Sequence, residues 1–288
     1  MRVVVSLTTV PSRVSHINIT LNSIQRQSYK PDDVYVCIPF KSQSESLDYK
    51  IPANLNDEFN IIRCQDYGPI TKLVGVLPLE TDPDTVIITV DDDVVYPEGM
   101  IEKMISKHRE YTKCAIGSAG FKFGGFPFYY SSVNNRHENN NQVYSFNIPP
   151  EGEPVDVFFS SPGILYKREF FPSQDRLDKI LRFTTENDDL QRNDTLTLCG
   201  YLSKRGIQRR VFKLPQITDT KTKQPGLSKN KINAFFSLLR AIRKAKQLEF
   251  FQEHAPFSRT KTMTYPAVIG TVIIIVLIAL LSTKSSSV

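Results

Sequence analysis

Residues 85–97 read Thr-Val-Ile-Ile-Thr-Val-Asp-Asp-Asp-Val-Val-Tyr-Pro, and this stretch decides the fold. Its first six residues are all β-branched, which is typical of a strand buried on both faces. Because a buried strand cannot hold three carboxylates, the chain must reach the surface at Asp91. In an α/β sheet, acids in that position lie at the carboxyl end of a strand, where open sheets bind ligands.

The acidic run Asp91-Asp92-Asp93 points to a cation. Three adjacent carboxylates repel one another unless a positive charge lies between them. Mg²⁺ or Mn²⁺ suits such a site, typically through one or two carboxylates together with substrate phosphates. The alternative is an acidic turn that caps a helix beginning near Pro97. The preceding buried strand favours a metal–diphosphate site.

Strands and helices alternate along the first half of the chain. Apolar runs predict strands before residue 85, and apolar residues spaced by three and four predict helices between them. This alternation predicts right-handed crossovers and a mostly parallel sheet. The strands are expected at Val3–Leu7, Val34–Ile38 and Asn60–Cys64, with later ones at Ala115–Ala119, Val155–Phe159 and Ile207–Leu214, and a late helix is expected from Asn193 to Arg205 with Gly206 as its C-cap.

Composition limits the classes of function. The 288 residues carry a net charge of +6, and no run of basic and aromatic residues indicates nucleic acid as a partner. The four cysteines lie far apart without a Cys-x-x-Cys motif, so we expect buried free thiols and a reducing compartment. The first residues are too polar for a signal peptide.

The C-terminal region predicts a membrane anchor. Residues 267–281 are apolar apart from Gly270 and Thr271, and with their neighbours they reach about 18 residues, enough to span a thin bilayer. The alternative is a buried core helix. We expect a basic amphipathic neck at 229–262, an anchor at 263–288, and a single-pass membrane protein whose catalytic domain faces the cytosol.

Several segments together resemble a known family. They are Ser6-Leu-Thr-Thr-Val-Pro-Ser-Arg13, the helix and turn from Leu21 to Pro31, Gly68-Pro-Ile-Thr-Lys72, and the acids after the apolar strand. The chain resembles nucleotide-sugar glycosyltransferases of the GT-A fold, family 2-like, over roughly residues 1 to 215. The resemblance implies a Rossmann-like, mostly parallel α/β domain at 1–228.

The resemblance also implies roles for the site residues. Asp93 would hold a Mn²⁺ or Mg²⁺ ion, and Asp91 would lie near the ribose or a metal-bound water and share that ion. The nucleotide sugar would be bound by these groups and by Thr8, Pro11, Arg13, Lys72 and Asp92, with Lys72 at the phosphates. The alternatives are a solvated lysine at the start of a helix and an exposed arginine in a turn.

An inverting transferase needs a general base. Similar enzymes place an acidic pair at the start of a helix, after a Gly-containing acceptor loop, here Ser160–Gly163. The candidates are Asp194 and the pair Asp188-Asp189. Aligning the helix puts Asp194 on the first acid and Thr195 on the second, which departs from the family pattern. We favour Asp194; its alternative role is a helix N-cap.

The predicted function is metal-dependent transfer of a hexose from a nucleoside-diphosphate sugar to a glycan, glycolipid or glycoprotein acceptor. Two alternatives remain. A haloacid-dehalogenase-type phosphatase would use Asp91 and Asp93 with Asp188-Asp189, but its motif normally follows the first strand of the domain. A non-catalytic, tail-anchored binding protein on a transferase fold would have a broken metal site.

Overall fold

The computed structural model of the chain describes residues 1–53, 55–121, 151–159, 163–172, 181, 194–215 and 218–219. All of them belong to the first of the two units into which the chain divides, Met1–Gln252. The expected neck and anchor and the Asp188-Asp189 pair lie outside the described residues. Within the described part, no helix is long and apolar enough to cross a bilayer.

The described elements alternate as the sequence predicts. The strands are β1 (Val3–Thr8), β2 (Asp33–Pro39), β3 (Asn60–Cys64), β4 (Val86–Thr89), β5 (Val94–Val95), β6 (Cys114–Gly117), β7 (Gly120–Phe121), β8 (Val157–Phe158), β9 (Ile164–Lys167), β10 (Gln208–Val211) and β11 (Thr218–Asp219). The helices are α1 (Asn18–Gln25), α2 (Leu55–Glu58), α3 (Thr71–Val74), α4 (Met100–Glu110) and α5 (Asp194–Lys204), with 3₁₀ turns at Val14–His16 and Arg168–Phe170.

Among the described strands, seven form the main sheet, in the order β10-β6-β9-β4-β1-β2-β3. β1 pairs in parallel with β2 and β4, β2 with β3, and β10 with β6. Only β9 runs the other way, antiparallel to both of its neighbours. The prediction of a mixed α/β domain with a mostly parallel sheet is therefore confirmed, and the architecture fits the GT-A fold.

β9 is the central strand that the sequence did not reveal. It is only four residues long, Ile-Leu-Tyr-Lys, and it directly follows Gly163. The predicted strand at Val155–Phe159 is shorter in the structure, and as β8 it pairs with β7 outside the main sheet. The predicted end of the late helix is confirmed. Gly206 has a φ of 69°, and Ile207 N–H donates to the Leu202 carbonyl, as in a Schellman motif.

The core lies on both faces of the main sheet. Successive β1 residues belong to opposite clusters, because side chains alternate along a strand. Val4 packs on the face covered by α3 and α5, and Val3 and Val5 pack on the face covered by α1 and α4. This burial on both faces explains why β4, and β1 apart from Ser6, consist of apolar or β-branched residues.

Six strands end at the same edge of the sheet, and that edge carries the candidate residues. β1 ends at Thr8 and β4 at Thr89, so the segments that follow them lie side by side. Because β9 is antiparallel, it begins at this edge, and Ile164 pairs with Thr89. Gly163 precedes it with a φ of 86°, a left-handed conformation that favours glycine. The rest of the expected acceptor loop, 160–162, is outside the described residues.

Candidate active site

The acidic run forms a turn between β4 and β5, and its three carboxylates have different surroundings. Asp92 is 4% exposed, whereas the side chain of Asp93 is 41% exposed and that of Asp91 is half-buried. The outer two carboxylates therefore keep part of their surface towards solvent, and the middle one belongs to the interior.

Asp92 ties the acidic turn to the loop after β1 and to α1. Its carboxylate accepts a hydrogen bond of 2.6 Å from the Thr9 hydroxyl and lies 3.1 Å from an Arg13 nitrogen. Its carbonyl accepts one of 2.9 Å from the Thr20 hydroxyl. Burial raises the pKa of the Asp92 carboxyl to about 6, although Arg13 and Thr9 act in the opposite direction. Little of this side chain remains for a nucleotide.

Arg13 bridges two of the three acids. One guanidinium nitrogen lies 2.8 Å from Asp93 Oδ2, and the other pairs with Asp92. The side chain is 12% exposed, so the alternative of an exposed arginine in a turn is wrong. Arg13 thus holds the first loop against the acidic turn and neutralises part of its charge.

Thr8 ends β1, and Pro11 lies on the loop that follows it, at the predicted edge. The Thr8 hydroxyl donates a hydrogen bond of 2.8 Å to the Cys37 carbonyl on β2. Both residues are half-buried. Their surface lies next to the acidic turn, where the sequence predicts nucleoside contacts.

Lys72 lies beneath the acidic turn and bridges two carboxylates. Its Nζ is 2.7 Å from Asp91 Oδ1 and 3.0 Å from Asp194 Oδ2. The residue is 3% exposed, so the alternative of a solvated lysine is wrong. Burial lowers the pKa of Lys72, but the two carboxylates outweigh burial and raise it above the ordinary value.

The turn that carries Lys72 is held by local hydrogen bonds. Gly68 has a φ of 72°, and its N–H donates to Asp66 Oδ1 at 2.7 Å. The Tyr67 N–H donates to the Thr71 hydroxyl at 2.9 Å. Because these bonds fix the backbone immediately before α3, the lysine enters the site from a defined position.

Asp194 is the first residue of α5 and is 5% exposed. The structure therefore brings three predicted residues from distant parts of the chain, Lys72, Asp91 and Asp194, into one ion-pair cluster. Asp188 and Asp189, the other candidate bases, lie outside the described residues. The sequence alignment of the late helix is the signal that placed Asp194 here.

Two supporting residues escaped the sequence reasoning. Thr9 binds Asp92, and the Tyr96 hydroxyl accepts a hydrogen bond of 2.8 Å from the Asp91 N–H. Burial raises the pKa of Tyr96 well above its usual range, which keeps it a neutral hydroxyl. Tyr96 could have been found as the aromatic residue that closes the acidic turn. Thr9 could have been found because it directly follows Thr8, and successive side chains at the end of a strand lie on opposite faces.

The carboxylates at this edge fit a hard divalent cation. Asp91 and Asp93 are partly exposed, lie two residues apart on one turn, and offer the oxygen ligands that Mg²⁺ and Mn²⁺ prefer. Within the described residues, however, no group of three or more His, Cys, Asp or Glu side chains could hold a metal. Of these two acids, Asp91 already pairs with Lys72 and Asp93 with Arg13. A cation bound here would depend on a diphosphate and water for its other ligands.

Comparisons with known proteins identify the family. No curated protein sequence matches the chain. The similar solved structures include the 2-C-methyl-D-erythritol 4-phosphate cytidylyltransferase of Francisella tularensis, at 12% identity and a TM-score of 0.41 over 82% of this chain and 97% of that one. They also include S. aureus TarS 1-349, at 15% identity and a TM-score of 0.46 over 91% of this chain and 74% of that one.

The family model of glycosyl transferase family 2 matches residues 13–173, which is more than half of the chain. The matched region begins at Arg13 and includes Lys72 and the three acids. It supports the glycosyltransferase interpretation over the phosphatase alternative, and it implies a nucleotide-sugar donor and a glycan acceptor. The chain belongs to glycosyl transferase family 2.

Proposed function

We propose that this glycosyltransferase moves a hexose from a nucleoside-diphosphate sugar to a glycan or lipid acceptor, with inversion and with the help of Mn²⁺ or Mg²⁺. The proposal rests mainly on one observation: Lys72 forms ion pairs both with Asp91 of the acidic turn and with Asp194. In such a reaction the donor phosphates and the general base must lie close together. This cluster contains a candidate residue for each, Asp91 on the donor side and Asp194 as the base.

The donor side must stabilise charge on the leaving diphosphate. As the bond between the sugar C1 and the phosphate oxygen breaks, its electron pair goes to the diphosphate. Asp91 and Asp93 would hold the divalent cation, which when bound neutralises this charge. Thr8 at the end of β1, and Pro11 and Arg13 after it, would contact the nucleoside.

The acceptor side must remove one proton. The acceptor hydroxyl oxygen forms the new bond to C1, and its proton passes to a carboxylate that serves as general base. Asp194 is the candidate within the described residues, and Asp189 and Asp188 are the alternatives. Since one glycosidic bond replaces one sugar–phosphate bond, no oxidant or reductant is needed.

The test is to incubate the full-length protein with a panel of nucleotide sugars, Mn²⁺ and candidate acceptors, and to measure nucleoside diphosphate release and the glycosylated product. We expect release from one donor class that increases with acceptor. Hydrolysis of a phosphate monoester without a sugar acceptor would support the phosphatase alternative. Nucleotide binding without turnover on any donor would support the non-catalytic alternative.

We propose further that residues 267–281 anchor the protein in a membrane with its catalytic domain in the cytosol. The apolar run and the basic segment 229–246 support this proposal. The expected result is that the protein sediments with membranes and that protease added to intact membranes digests residues 1–228. Protection of that region from protease would reverse the orientation, and a chain that stays out of the membrane fraction would contradict the anchor.

A further inference from the structure

The ammonium group of Lys72 has little capacity left for a substrate. It carries three N–H donors, and two carboxylates lie within ion-pair distance, Asp91 at 2.7 Å and Asp194 at 3.0 Å. Its side chain is almost completely covered. One N–H remains, but because the residue is 3% exposed, a phosphate could reach it only if the groups that cover the lysine moved away.

Asp194 depends on this lysine. Its carboxylate is buried at the start of α5, and Lys72 is the cation with which it pairs within the described residues. A buried charge without a partner is strongly destabilising. The position of Lys72 therefore determines where the Asp194 carboxylate can lie.

Lys72 in turn is fixed on its other side. α3 packs closely on the sheet, because a Cβ added at Gly75 would lie 2.8 Å from Cys37 Sγ. The hydrogen-bonded turn of residues 66–71 fixes the backbone that leads into α3. The backbone that carries Lys72 is therefore held in one position.

From these contacts we infer that Lys72 is a positioning residue that holds Asp194 against the acidic turn, and that it does not bind the donor phosphates. The inference rests on the proposed function, and it assigns Lys72 a different role from the one that the family resemblance implies. It predicts that loss of the lysine impairs turnover while donor binding persists.

The experiment compares Lys72→Met, Lys72→Arg, Asp194→Asn and the double variant K72M/D194N in the full-length protein. The control is Lys107→Met, which removes a partly buried lysine from its ion pair with the exposed Glu110 on α4, away from the acidic turn. Three quantities are measured: the thermal unfolding midpoint, the affinity for nucleoside diphosphate with Mn²⁺ by calorimetry, and kcat and KM for the donor.

We expect K72M to unfold roughly 10 °C below the wild type, and K107M to stay within about 3 °C of it. The double variant should be less destabilised than the two single losses combined, since an amide needs no cation. In K72M, kcat should fall by about 100-fold, while diphosphate affinity and donor KM change by less than about threefold. K72R should recover part of kcat.

A tenfold or larger loss of diphosphate affinity in K72M, with kcat preserved, would overturn the inference and restore the phosphate role. If the losses in unfolding midpoint of K72M and D194N simply add in the double variant while the wild type is active, the inference is overturned and the proposed function stands. A wild type without transferase activity would overturn the proposed function and the catalytic part of this inference with it. If K72M does not fold, a folded K72M/D194N supports the inference, and failure of both variants overturns it.

Discussion

The guanidinium of Arg13 lies 2.8 Å from the carboxylate of Asp93, and this ion pair joins the loop after β1 to the acidic turn after β4. Both segments follow parallel neighbouring strands, so the sheet brings together residues that are 80 positions apart in sequence. The pair also keeps the positive charge of the Arg13 guanidinium beside the partly exposed Asp93 carboxylate. Arg13 is therefore part of the framework that shapes the candidate metal site.

Arg13→Met should destabilise the fold by about 3 kcal/mol, because it leaves the buried Asp92 carboxylate without its cation. The free energy of unfolding is measured by urea denaturation at pH 7. The control is Arg26→Met, which removes an exposed arginine and should cost less than about 0.5 kcal/mol. Adding Asp92→Asn to the Arg13 variant should recover part of the loss. A cost for Arg13→Met as small as that of the control would contradict the structural role.

Asp93→Ala should reduce transfer by a factor of hundreds or more, since loss of the metal's charge stabilisation raises the barrier by several kcal/mol. Chelation of divalent cations should inactivate the wild type in the same way. The exposed acid Asp84 provides the control, because Asp84→Ala removes an ion pair with Lys167 at the start of β4, whereas the acidic turn follows the end of that strand. Nucleoside diphosphate release is the measurement. Full activity in excess chelator would exclude the metal-dependent reaction.

Much of the fold could be predicted because burial leaves a clear pattern. The β-branched run before Asp91 and the alternation of strands and helices gave the parallel sheet and its carboxyl edge. Short elements were harder. β9 has only four residues, and no periodicity distinguishes so short an apolar run from a loop. β5 and β11 have two residues each and are defined by their pairing, which a sequence does not show.

The sequence predicted which residues belong to the site better than it predicted how they contact one another. The sequence identified Lys72, Asp91 and Asp194 as members of one site. It did not show that Lys72 is buried between the two acids, because a lysine near a turn reads as solvated. The different surroundings of Asp92 and Asp93 were also hidden, since adjacent identical residues differ only once the neighbouring loop is folded against them.

Protonation of His108 should reduce stability in mildly acidic solution. His108 is buried on α4, and its Nδ1 has no hydrogen-bond partner within the described residues. Burial lowers its pKa, with the charge of Lys167 acting in the same direction. The unfolded chain therefore takes up a proton near pH 6.5, while the folded state resists it, so stability falls as the pH drops below about 6.5.

His108→Leu should flatten this dependence by up to about 1.4 kcal/mol per pH unit. Asp92 acts in the opposite sense, because its raised pKa favours the folded state as the pH falls through about 6. The difference between the variant and the wild type, measured by urea unfolding from pH 8 to 5, isolates the histidine. His16→Gln is the control, since His16 is exposed. An unchanged slope in His108→Leu would show that another group causes the acid sensitivity.

Asp194→Asn tests the general base. The amide keeps the shape of the side chain but accepts no proton, so turnover should fall by about two orders of magnitude or more. Lys72 keeps its pair with Asp91, so the unfolding midpoint should change far less than in Lys72→Met. Donor binding should persist, since the acids at 91–93 are untouched.

Asp189→Asn and Asp188→Asn are measured beside it under identical conditions. If Asp189→Asn is the inactive variant and Asp194→Asn retains activity, the base precedes α5 and Asp194 serves only to pair with Lys72. Equal tolerance at all three positions would contradict base catalysis by any of them and would favour a retaining reaction.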